Sequence, residues 1–250
     1  MQYLFLYFYC ISCICFTILE ILSNLAKPCS LLATLIRQPL YTKHEMRNIS
    51  LLFLLFIGHS CFGQDKILLK QDKYFDQELK QWTKSFRNFN ITDFKVEDTI
   101  HFTNNFQQDF NSYKKFLSIY KSIITYSADS SKFIDIYSYQ LNLTKKGNYY
   151  EANPDIDQAV LLCNPKIKYW NTIYFGTSSQ WIEEVIWISN AKFILVGIIK
   201  SEDDKKKPLI LIGDSRKQTI MKYLSSNKYC FQSNISYSSK KLKRLSIKGL

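Results

Sequence analysis

The sequence predicts an α+β protein dominated by β-structure, with N-terminal amphipathic helices packed on an antiparallel meander sheet in a sandwich or propeller-like arrangement. Three observations carry this expectation. Two aromatic stripes at helical spacing precede residue 125. From Phe133 onward, turn signals recur about every 8–12 residues, the rhythm of antiparallel strands. Between Trp181 and Asp214, three apolar runs are separated by two short polar breaks.

The chain of 250 residues opens on an apolar extension over residues 1–45. Tyr3–Leu19 is almost wholly apolar, which suits a membrane anchor. A sharper pattern follows over residues 46–63. Met46-Arg47-Asn48 is a short basic region, Ile49–Ile57 an apolar one, and Cys61-Phe62-Gly63 supplies small residues before Gln64. This is the layout of a secretory signal peptide. Its depth in the chain suggests Met46 as the true start, with residues 1–45 arising from a mis-called upstream codon. Lipidation at Cys61 is the alternative processing route. Residues 64–250 are expected to form a single domain, helical over 66–125 and β-rich over 131–250.

In Asp72–Phe89, the residues Phe75, Leu79, Trp82, Phe86 and Phe89 recur at steps of three and four, forming one apolar stripe of a helix. Phe106–Ile124 repeats the pattern, with Asn104 or Asn105 as its cap. From Phe133 the period changes to two. Phe133–Leu143 alternates as a strand, Lys145–Asn148 reads as a hairpin turn, and Tyr149–Ala152 restarts the pairing. Ala159–Cys163, Ile167–Phe175, the three meander runs and Gln218–Leu224 continue the series. The last expected strand, Leu242–Ile247, carries Lys and Arg of the kind that guards a sheet edge. Within the meander, Phe193–Ile199 is apolar on every side. That fits a central strand covered on both faces, and it is far shorter than the roughly 20 apolar residues a membrane span needs.

Composition narrows the chemistry. Only 7 glycines are present, and no phosphate-cradling loop can be found among them. A net charge of +12 favours acidic surroundings. Removal of the leader leaves His101 as the one histidine, in a segment without a nucleophile motif, so histidine-driven catalysis, zinc and haem are disfavoured. Asn153-x-Asp155-x-Asp157 lacks the glycine of a calcium loop. No metal and no cofactor are expected. Carboxylates remain: of the adjacent Glu183 and Glu184, strand alternation turns one inward, where burial raises a carboxyl pKa. Asp135 or Asp214 would be the second carboxylate of an acid–base pair. Trp170, Trp181 and Trp187 are candidate stacking platforms for a sugar. Lys240, Lys241, Lys243 and Arg244 are candidates for binding an anionic polymer. Cys163 and Cys230 are a candidate disulfide in an oxidising compartment, with two buried thiols the equal alternative.

Phe133–Asp214 resembles uncharacterised exported proteins of Gram-negative bacteria through FIDIYSYQLNL, NPDIDQAVLLCNP, WIEEVIWIS and KFILVG. The resemblance implies export and brings no activity with it, so no functional residue carries over. The expected role is that of a non-catalytic structural or binding protein of the cell envelope, periplasmic or attached to a membrane. Its expected partner is an envelope component or a membrane surface, without specific nucleic acid. A carboxylate-dependent glycan hydrolase and an anionic-polymer binder are the alternatives.

Overall fold

The computed structural model describes residues 67–107 and 109–249. The leader, its start at Met46 and lipidation at Cys61 lie outside the described residues. Within them the protein is β-dominated, with mainly antiparallel sheets, few helices and no closed barrel.

The meander forms as the sequence predicts. Strands β10 (Gln180–Trp187), β11 (Lys192–Lys200), β12 (Lys206–Asp214) and β13 (Thr219–Ser225) pair in succession, and β2 (Phe94–His101) closes the sheet in the order β10-β11-β12-β13-β2. Residues of β11 and β12 are buried on both faces. Phe193, Leu195, Leu209 and Leu211 join one core cluster, while Ile194, Val196, Ile198, Ile210 and Ile212 join another. Each face excludes water, so neither parity of the strand needs polar residues. That is the physical reason for the unbroken apolar runs.

The second cluster also holds Phe75, Leu79, Trp82 and Phe86 from the N-terminal stripe. Their burial is as expected, but one continuous helix is not. Helices α1 (Asp72–Asp76) and α2 (Lys80–Thr83) are short, with Gln77 at φ −111° and ψ −86° breaking them apart. Phe86–Arg87 then forms β1, paired with β14 (Phe231–Gln232). Helices this short gain little from local propensity, so tertiary packing decides the path. The rings interlock instead: Trp82 meets Phe86 edge-on at 4.9 Å and Phe89 at 5.7 Å.

The first cluster joins the meander to a second sheet. Its strands are β3 (Thr103–Gln107), β4 (Thr125–Tyr126), β5 (Phe133–Asp135), β8 (Gln158–Asn164) and β9 (Tyr169–Gly176), in the order β3-β9-β8-β5-β4. Helix α3 (Phe110–Tyr120) begins later than expected because β3 takes up the preceding residues in pairing with β9. Its cap is therefore Asp109, not Asn104 or Asn105; the carboxylate accepts the N–H groups of Asn111 and Ser112 at 2.8 and 3.0 Å. The α3 residue Phe116 stacks on Phe133 at 5.9 Å and meets Trp170 edge-on at 4.9 Å.

Two further expectations change. Phe133–Leu143 is not one strand: β5 ends at Asp135, and Ser138–Leu141 forms a helical turn, α4. The carboxylate of Asp135 accepts the N–H groups of Tyr137 and Ser138, which stabilises the turn against extension. Leu242–Ile247 is likewise no strand. Leu242–Arg244 is a 3₁₀ turn, and only Ile247–Lys248 (β15) pairs, parallel to β7 (Tyr149–Glu151). The predicted hairpin does form, joining β6 (Thr144–Lys146) to β7 through Gly147 at φ +61°.

The candidate disulfide is absent. Cys163 and Cys230 are both free and buried, one in each core cluster. The clusters flank opposite faces of the meander, so the thiols are kept apart by the sheet itself. Among the described residues no helix is long and apolar enough to cross a membrane.

Candidate functional site

β10 is an edge strand, and its open edge is where polar groups gather. The pairing of β10 with β11 shifts between Ile182 and Glu184, leaving Glu183 as the extra residue of a bulge. Opposite, Gly197 pairs with Ile182. A Cβ at residue 197 would collide with the Trp181 carbonyl, so the strands approach this closely only because the residue is glycine. The bulge breaks the alternation on which the inward-or-outward expectation rested. Glu184 lies opposite Val196, and Glu183 accepts the indole N–H of Trp82 at 3.0 Å; Val196 and Trp82 both belong to the second cluster. Both carboxylates thus turn to the same side of the sheet.

Glu184 is 8% exposed and fully engaged. One carboxylate oxygen accepts the Lys241 ammonium at 2.7 Å and the Val185 N–H at 3.1 Å. The other accepts the Tyr237 hydroxyl at 2.8 Å and the Ser239 hydroxyl at 3.0 Å. Lys241 also donates to the Thr125 hydroxyl at 2.7 Å. Tyr237, Ser239 and Lys241 come from the C-terminal segment, so Glu184 fastens that segment to the β10 edge. Burial raises the hydroxyl pKa of nearby Tyr137, and the Glu184 charge raises it further.

Glu183 is half-buried. Burial pushes its carboxyl up to about 7, against the opposing pull of the Trp82 hydrogen bond and the Lys206 charge. Asp135 is fully buried, and its pKa is also raised by burial, then pulled back by Ser138 and by the N–H groups of Tyr137 and Ser138. Asp214 is a turn residue, accepting the N–H groups of Arg216 and Lys217 at 2.9 and 3.2 Å. It stands two strands and four residues from the Glu184–Val196–Ile210 row, on the order of 15 Å away by strand geometry. That is beyond the roughly 5–9.5 Å that separates a glycosidase pair.

The tryptophans do not converge on these carboxylates as a sugar platform. Trp170 is 0% exposed among the α3 and β5 rings. Trp187 donates to the Thr125 carbonyl at 3.0 Å, and Trp181 lies beneath the Lys206 ammonium at 5.3 Å from the ring centre. Lys240, Lys243 and Arg244 are exposed, while Lys241 is bound to Glu184.

Sequence reasoning missed Gln158, which is 1% exposed. Its amide accepts the Ile182 N–H at 2.6 Å and donates to the Ile182 carbonyl at 3.0 Å, acting as a one-residue substitute strand on the β10 edge. The same nitrogen reaches the Ile136 carbonyl at 2.8 Å. Its only signal was a polar residue at the head of an apolar strand. Tyr237, Ser239 and Thr125 carried none, because their partner lies far off in sequence.

Clefts of about 520, 480 and 550 Å³ open elsewhere on the surface, and neither Glu183 nor Glu184 lines them. Among the described residues no group of His, Cys, Asp and Glu is assembled to hold a metal ion. The chain matches no protein-family model, no curated protein and no solved structure.

Proposed function

We propose that the protein is an exported, non-catalytic component of the bacterial cell envelope with a structural or binding role, built as a sheet sandwich rather than from propeller blades. The observation that carries this reading is the complete engagement of Glu184 by Lys241, Tyr237, Ser239 and a backbone N–H. A general acid or nucleophile needs an oxygen free to reach its substrate. The sandwich is supported by the two core clusters on opposite faces of the meander. Export is supported by the signal-peptide layout over residues 46–63.

Replacement of Glu183 and Glu184 by glutamine tests the non-catalytic role. Both variants are expected to change the unfolding midpoint and nothing else. A glycan hydrolysis present in the parent and lost from either variant, with circular dichroism unaltered, overturns the reading in favour of a hydrolase. Intact mass of the envelope-extracted protein tests export. The expected N-terminus is Gln64, or a lipidated Cys61. A terminus upstream of Met46 removes the leader.

A further inference from the structure

We infer that the cleft between the β11–β12 connection and the segment entering β14 is a binding site for an acidic oligosaccharide. The inference rests on the reading of the protein as a binding component, and it supplies the ligand class. The cleft is an open depression of about 480 Å³, whose lining includes Glu202, Lys205, Lys207, Lys228, Tyr229 and Phe231.

Three features of its lining bear on what it can hold. Aromatic faces come with cations already beside them. The Lys205 ammonium lies 5.5 Å from the Phe231 ring centre, the Arg87 guanidinium 5.7 Å from the same ring, and Lys228 sits 5.0 Å from that of Tyr229. Tyr229 is 59% exposed, a large ring held at the surface by the Asn88 side chain bonding its carbonyl and by its own N–H bonding Asn227. Of the lining cations, Lys205 is neutralised by Asp203 at 2.6 Å, whereas Lys207 and Lys228 form no ion pair among the described residues. Lys207 is half-buried, so its unpaired charge acts with less solvent screening than a free surface lysine.

This combination suits a ring that is apolar on its faces, rich in hydroxyls at its rim and negatively charged. Tyr229 offers flat contact to a sugar face, while Phe231 holds the Lys205 and Arg87 cations beside it. Lys207 and Lys228 match a carboxylate. Glu202, exposed at the wall, can accept from sugar hydroxyls. Single-stranded nucleic acid is the rival, because it also joins stacking to charge. Asp203 is taken up by Lys205 and Ser201, which leaves Glu202: a sugar brings hydroxyl donors to it, whereas a DNA backbone brings only acceptors and negative charge.

The test is calorimetric titration of the full-length protein, as its cells process it, with a galacturonate trimer. A neutral galactose trimer and a short oligothymidylate are the comparison ligands. Saturable binding of the acidic trimer is expected, weakening as salt rises. Lys207→Gln and Lys228→Gln are each expected to weaken it about tenfold, the value of one charge-assisted hydrogen bond. Tyr229→Ala is expected to weaken it several-fold, and Lys240→Gln and Lys243→Gln to leave it unchanged. Circular dichroism confirms that every variant is folded. Four results overturn the inference: no saturable binding, equal affinity for the neutral trimer, tighter binding of oligothymidylate, or equal losses at Lys240 and Lys243, which would mean diffuse attraction to net charge. Failure here leaves the non-catalytic reading standing. Cleavage of the bound trimer would instead overturn that reading and leave this one.

Discussion

Strands β10 and β11 are neighbours in one sheet, yet different forces hold them in place. β11 lies inside the sheet with a paired strand on each side, and its side chains from Phe193 to Val196 are fully buried in apolar surroundings. β10 has one paired edge and one open edge. On the open side its backbone and its two carboxylates are satisfied by side chains from Trp82, Gln158 and the 237–241 segment. An interior strand is stabilised by burial, which is additive and tolerant of which neighbour supplies it. An edge strand in a closed molecule needs specific donors and acceptors at fixed places.

Substitutions on the two strands should separate these forces. Leu195→Ala is expected to cost the most, about 3–4 kcal/mol in urea unfolding, because it empties a fully buried site. A loss below about 1 kcal/mol would mean the centre is loosely packed. Lys241→Met should cost about 2–3 kcal/mol by stranding the Glu184 charge. That is just under the usual figure for breaking a buried pair, since Lys241 is itself a quarter exposed. Adding Glu184→Gln to that variant should recover part of the loss; a double variant weaker than the single would refute the pairing. Gln158→Leu should cost about 2 kcal/mol by leaving the Ile182 N–H and carbonyl without partners. Hydrogen exchange at the Ile182 amide should then quicken while that at Leu195 does not.

A smaller effect concerns pH. The folded Glu183 carboxyl titrates at about 7 against an ordinary 4.5, so the folded state holds this proton more tightly than the unfolded state does. Its contribution therefore favours folding at low pH and is lost as pH rises from about 4.5 through about 7. The unfolding midpoint should decline less across that window in Glu183→Gln than in the parent, and parallel curves would refute the assignment. The smallest effect is expected from reducing agent. With Cys163 and Cys230 free, dithiothreitol should not move the midpoint, whereas loss of a disulfide would cost about 2–4 kcal/mol.

The same contrast explains what could be read in advance. The runs of β11 and β12 were legible because burial on both faces leaves an unmistakable pattern. The stripe Phe75–Leu79–Trp82–Phe86 was legible as buried, but not as two short helices and a strand. Pairing of Phe86–Arg87 with Phe231–Gln232 spans most of the described chain and has no local trace. Phe133–Leu143 alternates well enough for a strand, and a single side chain, Asp135, diverts it into a turn. At the site, Glu183 and Glu184 stood out as charges in an apolar run. Gln158, Tyr237 and Ser239, which give those charges their setting, did not. The bulge that turns both carboxylates to one side was marked only by Gly197, a residue from the facing strand.

The order of residues alone determined the β-dominated class, the antiparallel meander, the hairpin at Gly147 and the identity of most core side chains. These follow from local chain preference and from the gain in hiding apolar surface, which is a property of each residue in turn. Only the tertiary structure decided the partners of the Glu184 carboxylate, the separation of the two thiols and the assembly of lysines around Tyr229 and Phe231. Hydrogen bonds and charge pairs act over a few ångströms, and the groups that side chains join here lie as many as 141 residues apart in the chain.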